Sequence, residues 1–125
     1  MALADEKKRH GRKSCMSIAM NLYYTGENGA ARRFAQEMEN SGTADLIRAE
    51  DGNLGYDYFI SISDPETVLL IDSWRDQCAL DRHHASPMMK TISELREKYD
   101  LHMRAERYIA DSEGVPGSDS QFLRK

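Results

Sequence analysis

The chain has 125 residues and a formal net charge of −4. That length fits one domain with a modest core, and the acid excess argues against a nucleic-acid-binding body. No apolar run reaches the length of a membrane span.

Residues 1–14 carry five Lys and Arg against two acids. Nothing in this stretch asks to be buried, so it reads as a disordered, solvated N-terminal tail. It lacks the apolar segment of a secretory signal. Cys15 and Cys78 lie far apart with no C-x-x-C, which suits reduced thiols in a cytoplasmic protein. The folded unit is expected over residues 15–110.

Cys15 to Tyr24 alternates as a first strand, with Met16, Ile18, Met20, Leu22 and Tyr24 on one face and Ala19, Asn21 and Tyr23 on the other. Ala30 to about Asn40 follows as a helix burying Ala31, Phe34, Ala35 and Met38. Ser41-Gly42-Thr43 interrupts it, and a further turn carries Leu46 and Ile47. Glu50-Asp51-Gly52-Asn53 is a turn. Leu54 to Ile62 alternates as the second strand, with Tyr56 and Tyr58 on one side.

Ser63-Asp64-Pro65-Glu66 leads into the third strand, Val68 to Trp74, an apolar run suited to burial on both faces. Asp76 is the expected N-cap of a short helix holding Ala79, Leu80, His83 and His84. Ser86-Pro87 marks a second helix start, with Ser86 as N-cap and a stripe of Met88, Ile92, Leu95 and Tyr99. Leu101 to Ile109 alternates as a fourth strand. Residues 111–125 are rich in Gly, Ser and Asp and read as a flexible C-terminal tail.

The order βαββ(αα)β predicts an α+β, ferredoxin-like fold with helices on one face of the sheet. The third strand is apolar at both parities, so the other face needs a cover. A second copy of the chain is the simplest one, and a homodimer is expected.

Asp51-Gly52-Asn53-Leu54-Gly55-Tyr56, Ser63-Asp64-Pro65, Asp72-Ser73-Trp74, His83 nine residues on, and Ser86-Pro87-Met88 together resemble the antibiotic biosynthesis monooxygenase (ABM) domain. The pattern spans roughly Met16 to Ala110. The resemblance implies a dimeric α+β barrel. It also implies one of several activities: oxidation of quinols or polycyclic phenols with molecular oxygen and neither metal nor flavin, isomerisation of a phosphorylated autoinducer-2 compound, or haem cleavage. By position, Trp74 and His83 match the family's Trp and His, and Tyr56 its second-strand aromatic. Asp72 stands where a Glu is usual. Asn21 lies near the first-strand Asn of the haem branch. That branch, however, has a Trp at the place of His83 and a His where this chain has Ile92, which argues against haem cleavage.

Each candidate has a plainer alternative. His83 is read as a general base, its ordinary pKa lying near working pH; otherwise it is a half-buried helix histidine. His84 points about 100° away, toward the surface. Trp74 either stacks on an aromatic substrate or anchors the core. Asp72 either orients the imidazole or acts as a carboxylate base; otherwise it is an exposed strand-end acid. Tyr56 and Tyr58 either donate to a substrate oxygen or pack. Met88 packs or lines the pocket. The histidines form no H-E-x-x-H and the glycines no phosphate cradle, so neither metal nor nucleotide cofactor is expected.

The expected function is cofactor-independent oxidation of a small quinol or phenol. His83 and Asp72 would be catalytic, and Trp74, Tyr56, Asn21, Tyr58 and Met88 would hold the substrate. An isomerase of the autoinducer-2 phosphate type, using Arg75, Arg82 or Arg104 for the phosphate, and a non-catalytic module binding a small aromatic ligand are the alternatives. No nucleic-acid or membrane partner is expected.

Overall fold

β1 (Ile18–Thr25) opens the fold and is followed by α1 (Ala30–Asn40) and α2 (Thr43–Arg48). β2 (Asn53–Ile60) and β3 (Thr67–Trp74) come next, then α3 (Gln77–His84), α4 (Met88–Lys98), β4 (His102–Ile109) and a four-residue α5 (Gly117–Ser120). These elements come from a computed structural model that describes residues 16–124. The expectation for the N-terminal tail lies outside the described residues. Residues 111–124 are exposed throughout.

The strands form one antiparallel sheet in the order β2-β3-β1-β4, the ferredoxin-like arrangement expected from the element order. Alternation decides which side chains meet the helices. Ile18 and Tyr24 of β1, and Val68, Leu70, Asp72 and Trp74 of β3, are buried on the helix side. Under them lie Ala31, Phe34, Ala35 and Met38 of α1, the four residues the helical spacing singles out. The Phe34 ring sits 4.8 Å from Tyr24 and edge-on to Tyr58 at 6.1 Å.

Two strand expectations are corrected. A register irregularity between Asn53 and Gly55 rotates Leu54 outward, leaving it 60% exposed instead of sharing the buried face of Tyr56. Ile62 falls beyond β2 and is fully exposed.

The helix starts divide in the same way. Asp76 caps α3 as expected, its Oδ1 accepting the Ala79 N–H at 2.8 Å. Ser86 does not cap α4. The cap position is Pro87, which makes no side-chain cap bond, and Ser86 Oγ is buried without a hydrogen-bond partner among the described residues.

The turn from α2 into β2 is held tightly against the start of α3. Gly52 has φ 86°, its carbonyl accepts the Arg75 N–H at 2.7 Å, and a Cβ on it would collide with the Ala79 methyl. Only glycine combines that backbone conformation with so close an approach. Gly52→Ala is therefore expected to destabilise the protein by about 3 kcal/mol, from left-handed strain plus overpacking. Urea denaturation checks this.

Candidate functional site

Between the helix side of the sheet and α3–α4 lies a cavity of about 210 Å³. All four strands contribute to its floor: Met20, Leu22 and Tyr24 from β1, Tyr56 from β2, Leu70 and Asp72 from β3, and Met103 and Ala105 from β4. His83 and His84 of α3, with Met89, Ile92 and Arg96 of α4, form the rest of the wall.

His83 is 3% exposed. A buried imidazole N–H needs an acceptor, and Glu50 supplies it, with Oε1 2.8 Å from Nδ1. Glu50 sits in the turn that Gly52 presses against α3, which is how a residue 33 positions away reaches the ring. A carboxylate only accepts, so Nδ1 carries a proton, and Nε2 is the ring nitrogen left to exchange one with a ligand. The indole of Trp74 stacks on the imidazole, with ring centroids 4.7 Å apart and planes 25° apart.

Trp74 is fully buried and does not line the cavity. Its Nε1–H donates to Asp72 Oδ1 at 2.6 Å. Asp72 does face the cavity, and at 3% exposure it is no strand-end surface acid. Burial pushes its carboxyl up to about 6, against the opposing pull of His83 and the Trp74 hydrogen bond. The Tyr56 hydroxyl hydrogen-bonds that of Tyr58 at 3.1 Å. Burial holds both phenols above the ordinary tyrosine range and raises Tyr24 to about 12, so all three stay neutral hydrogen-bonding groups at neutral pH.

The structure thus brings His83, Asp72 and Tyr56 to one cavity, with Trp74 behind them. It separates the other candidates. Asn21 pairs with Ile71 and Glu106 at the parity opposite Met20 and Leu22, so it belongs to the far face of the sheet. Tyr58 lines a separate groove beside Ala35 and Val68. Met88 packs half-buried against the core, and its neighbour Met89 faces the cavity instead. His84, read as a surface residue, is exposed and nevertheless borders the cavity.

Glu50 and Arg96 are site residues that sequence reasoning missed. Glu50 reads as a turn acid and Arg96 as the polar side of a helix, and only contacts distant in sequence reveal either. Among the described residues, no three metal-ligating side chains converge.

Asp72 keeps a proton in the fold at pH values where the unfolded chain has lost its own. Its contribution to stability is full below the unfolded value near 3.8 and disappears as pH rises through about 6. Between about pH 4 and pH 7, the wild type should lose on the order of 2–3 kcal/mol more stability than Asp72→Asn. Denaturant titrations of the two proteins at both pH values measure the difference.

The fold recurs in solved structures. An oxygenase described as cofactor-independent, SnoaB from Streptomyces nogalater, aligns over 78% of this chain and 95% of its own, with TM-score 0.64 and 15% identity. The Pseudomonas aeruginosa protein PA3566 aligns over 80% and 98%, with TM-score 0.62 and 24% identity. A conserved protein from Methanosarcina mazei aligns over 81% and 99%, with TM-score 0.65 and 20% identity. No curated protein sequence matches significantly. The sequence profile described as antibiotic biosynthesis monooxygenase matches residues 16–95, from just before β1 to Leu95 in α4. With this match across most of the folded unit, the chain belongs to the antibiotic biosynthesis monooxygenase family.

Proposed function

We propose that the chain is a monooxygenase that oxidises a small quinol or phenol with molecular oxygen, without a bound cofactor. The observation that carries this reading is a histidine whose Nδ1–H is held by Glu50 while the ring borders a small, largely apolar cavity. His83 Nε2 takes the phenolic proton. The resulting anion is electron-rich and gives its electrons to oxygen directly. For a quinol, one oxygen atom of O₂ ends on the ring, the other leaves as water, and the product is a hydroxyquinone. The Tyr56 hydroxyl donates to the substrate oxygen as negative charge develops, and the dry walls strengthen that contact. Trp74 acts through His83 and Asp72, holding the ring of one and a carboxylate oxygen of the other.

The isomerase alternative asks for arginines at a phosphate. Arg75 and Arg82 instead reach Asp51, and Arg104 lies over the Tyr23 ring at 3.9 Å; none of the three lines the cavity. The three arginines expected to hold a phosphate are thus engaged outside the cavity.

Oxygen uptake by metal-free protein with a panel of one-ring and two-ring quinols tests the proposal. His83→Gln should lower kcat by about 10²–10³-fold with a small change in KM. Glu50→Gln should keep the ring in place and lose part of the rate, since an amide is a weaker partner for the charge that forms on the imidazole. Uptake that is absent, or equal in wild type and His83→Gln, refutes the reading.

We also infer that two copies pair through the sheet face away from the helices. Phe59 and Tyr108 are half-exposed there on the two edge strands, with Leu69 and Ile71 of the inner strand β3 between them. Their apolar surface is what a second sheet would bury. Ile71→Lys should convert a dimer to a monomer in sedimentation equilibrium.

A further inference from the structure

The strand register turns the cavity into a ruler with two chemically different ends. Asp72 is level with Met20 of β1 and with Tyr56 of β2, and Tyr56 lies 6.5 Å from the His83 ring. This is the proton-accepting end. Met103 is level with Tyr24, four residues further along β1, and Arg96 donates to Met103 Sδ at 3.7 Å. The backbone levels of Asp72 and Met103 are roughly 13 Å apart along the strand axis at about 3.3 Å per residue, and the guanidinium meets the Met103 side chain at the far end. Between the ends, Leu22 pairs with Leu70 on one side and Ala105 on the other, giving an apolar middle under Ile92.

Arg96 differs from the arginines on the outside of the fold. Among the described residues, Arg48, Arg75 and Arg82 have carboxylate partners, whereas the one side-chain hydrogen bond of Arg96 goes to a thioether. A guanidinium in the cavity wall held by so weak an acceptor is a site for an anion. Arg96 and Met103 also line a broad outer groove with Ser93, His102 and the acids Glu97 and Asp100, so the cation stands between the cavity and solvent, with these two carboxylates on its outer side only. Size sets the remaining limit. A cavity of about 150 Å³ suffices for benzene, and drug-sized ligands occupy about 300 Å³ or more. At about 210 Å³, this one matches a single six-membered ring with small substituents, any larger part of a ligand extending past Arg96 and Met103 into the outer groove.

From these placements we propose that the substrate is a one-ring phenol or quinol bearing a carboxylate, with its hydroxyl at His83 and its carboxylate on Arg96. This deepens the proposed oxidation and rests on the same cavity being its site. The acid group must sit at the Arg96 end, because Asp72 would repel it at the other.

Anaerobic calorimetry with 2,5-dihydroxybenzoate, 2,5-dihydroxybenzamide and 1,4-dihydroxy-2-naphthoate tests the assignment. The wild type should bind the benzoate about tenfold or more tightly than the benzamide, as a charge-assisted pair requires, and more tightly than the naphthoate by a similar factor. Arg96→Met should bring benzoate and benzamide within about twofold, and Arg96→Lys should keep part of the preference. Equal binding of acid and amide by the wild type, no binding of either, a preference that survives Arg96→Met, or a tighter naphthoate overturns the proposal. Aerobic oxygen uptake separates it from the oxidation itself. If the benzoate binds through Arg96 and consumes no oxygen, the oxidation falls and the recognition stands. If benzene-1,4-diol is oxidised and the carboxylate adds nothing to binding, the recognition falls and the oxidation stands.

Discussion

A histidine ring buried to 3% exposure beside a cavity is the constraint on which the rest of the site depends. Leaving its N–H without an acceptor would cost on the order of 1–3 kcal/mol, so the fold must deliver a partner to Nδ1. It does so from a distant turn. Gly52 lets that turn lie against the first helical turn of α3, and Glu50, two residues earlier, then reaches the imidazole. Trp74 closes the remaining ring face and ties Asp72 down through its indole N–H. Orientation, tautomer and the protonation of the neighbouring acid are therefore set together by one packed cluster.

The sheet contributes the geometry of the cavity. Strand alternation sends one set of side chains to the helices, and the antiparallel register fixes their level along the strand axis. Asp72 and Tyr56 fall at one level, Leu22, Leu70 and Ala105 at the next on this face, and Tyr24 and Met103 at the one beyond. A polar end, an apolar middle and a cation-bearing end follow from that register once α4 lays Ile92 and Arg96 over them.

Asn21, Met88, Trp74 and Ser86 each take a place that their own local packing decides. The family resemblance points to Asn21 as a site residue, and its parity on β1 puts it on the far face of the sheet. Met88 and Met89 are adjacent, and a helix turns about 100° per residue, so a small rotation of α4 decided which one faces the cavity. Trp74 is on the expected strand and face, but the imidazole took the stacking surface proposed for a ligand. Ser86 has the residue type of an N-cap, and α4 nevertheless begins after Pro87.

From the sequence alone, hydrophobic periodicity, the Gly-containing turns and the Asp76 cap determined the order of elements, the buried face of α1 and the ferredoxin-like plan. The order of Asp72, Trp74 and His83, read with the family resemblance, pointed to the cluster that the fold assembles beside the cavity. These are local features, encoded within a few residues of one another. Tertiary structure alone decided that Glu50 holds His83, that Asp72 is buried and holds its proton up to about pH 6, and that Arg96 faces the cavity. Each depends on contacts between residues far apart in the chain, or on the exact rotation of a helix over a sheet, and no local pattern carries that information.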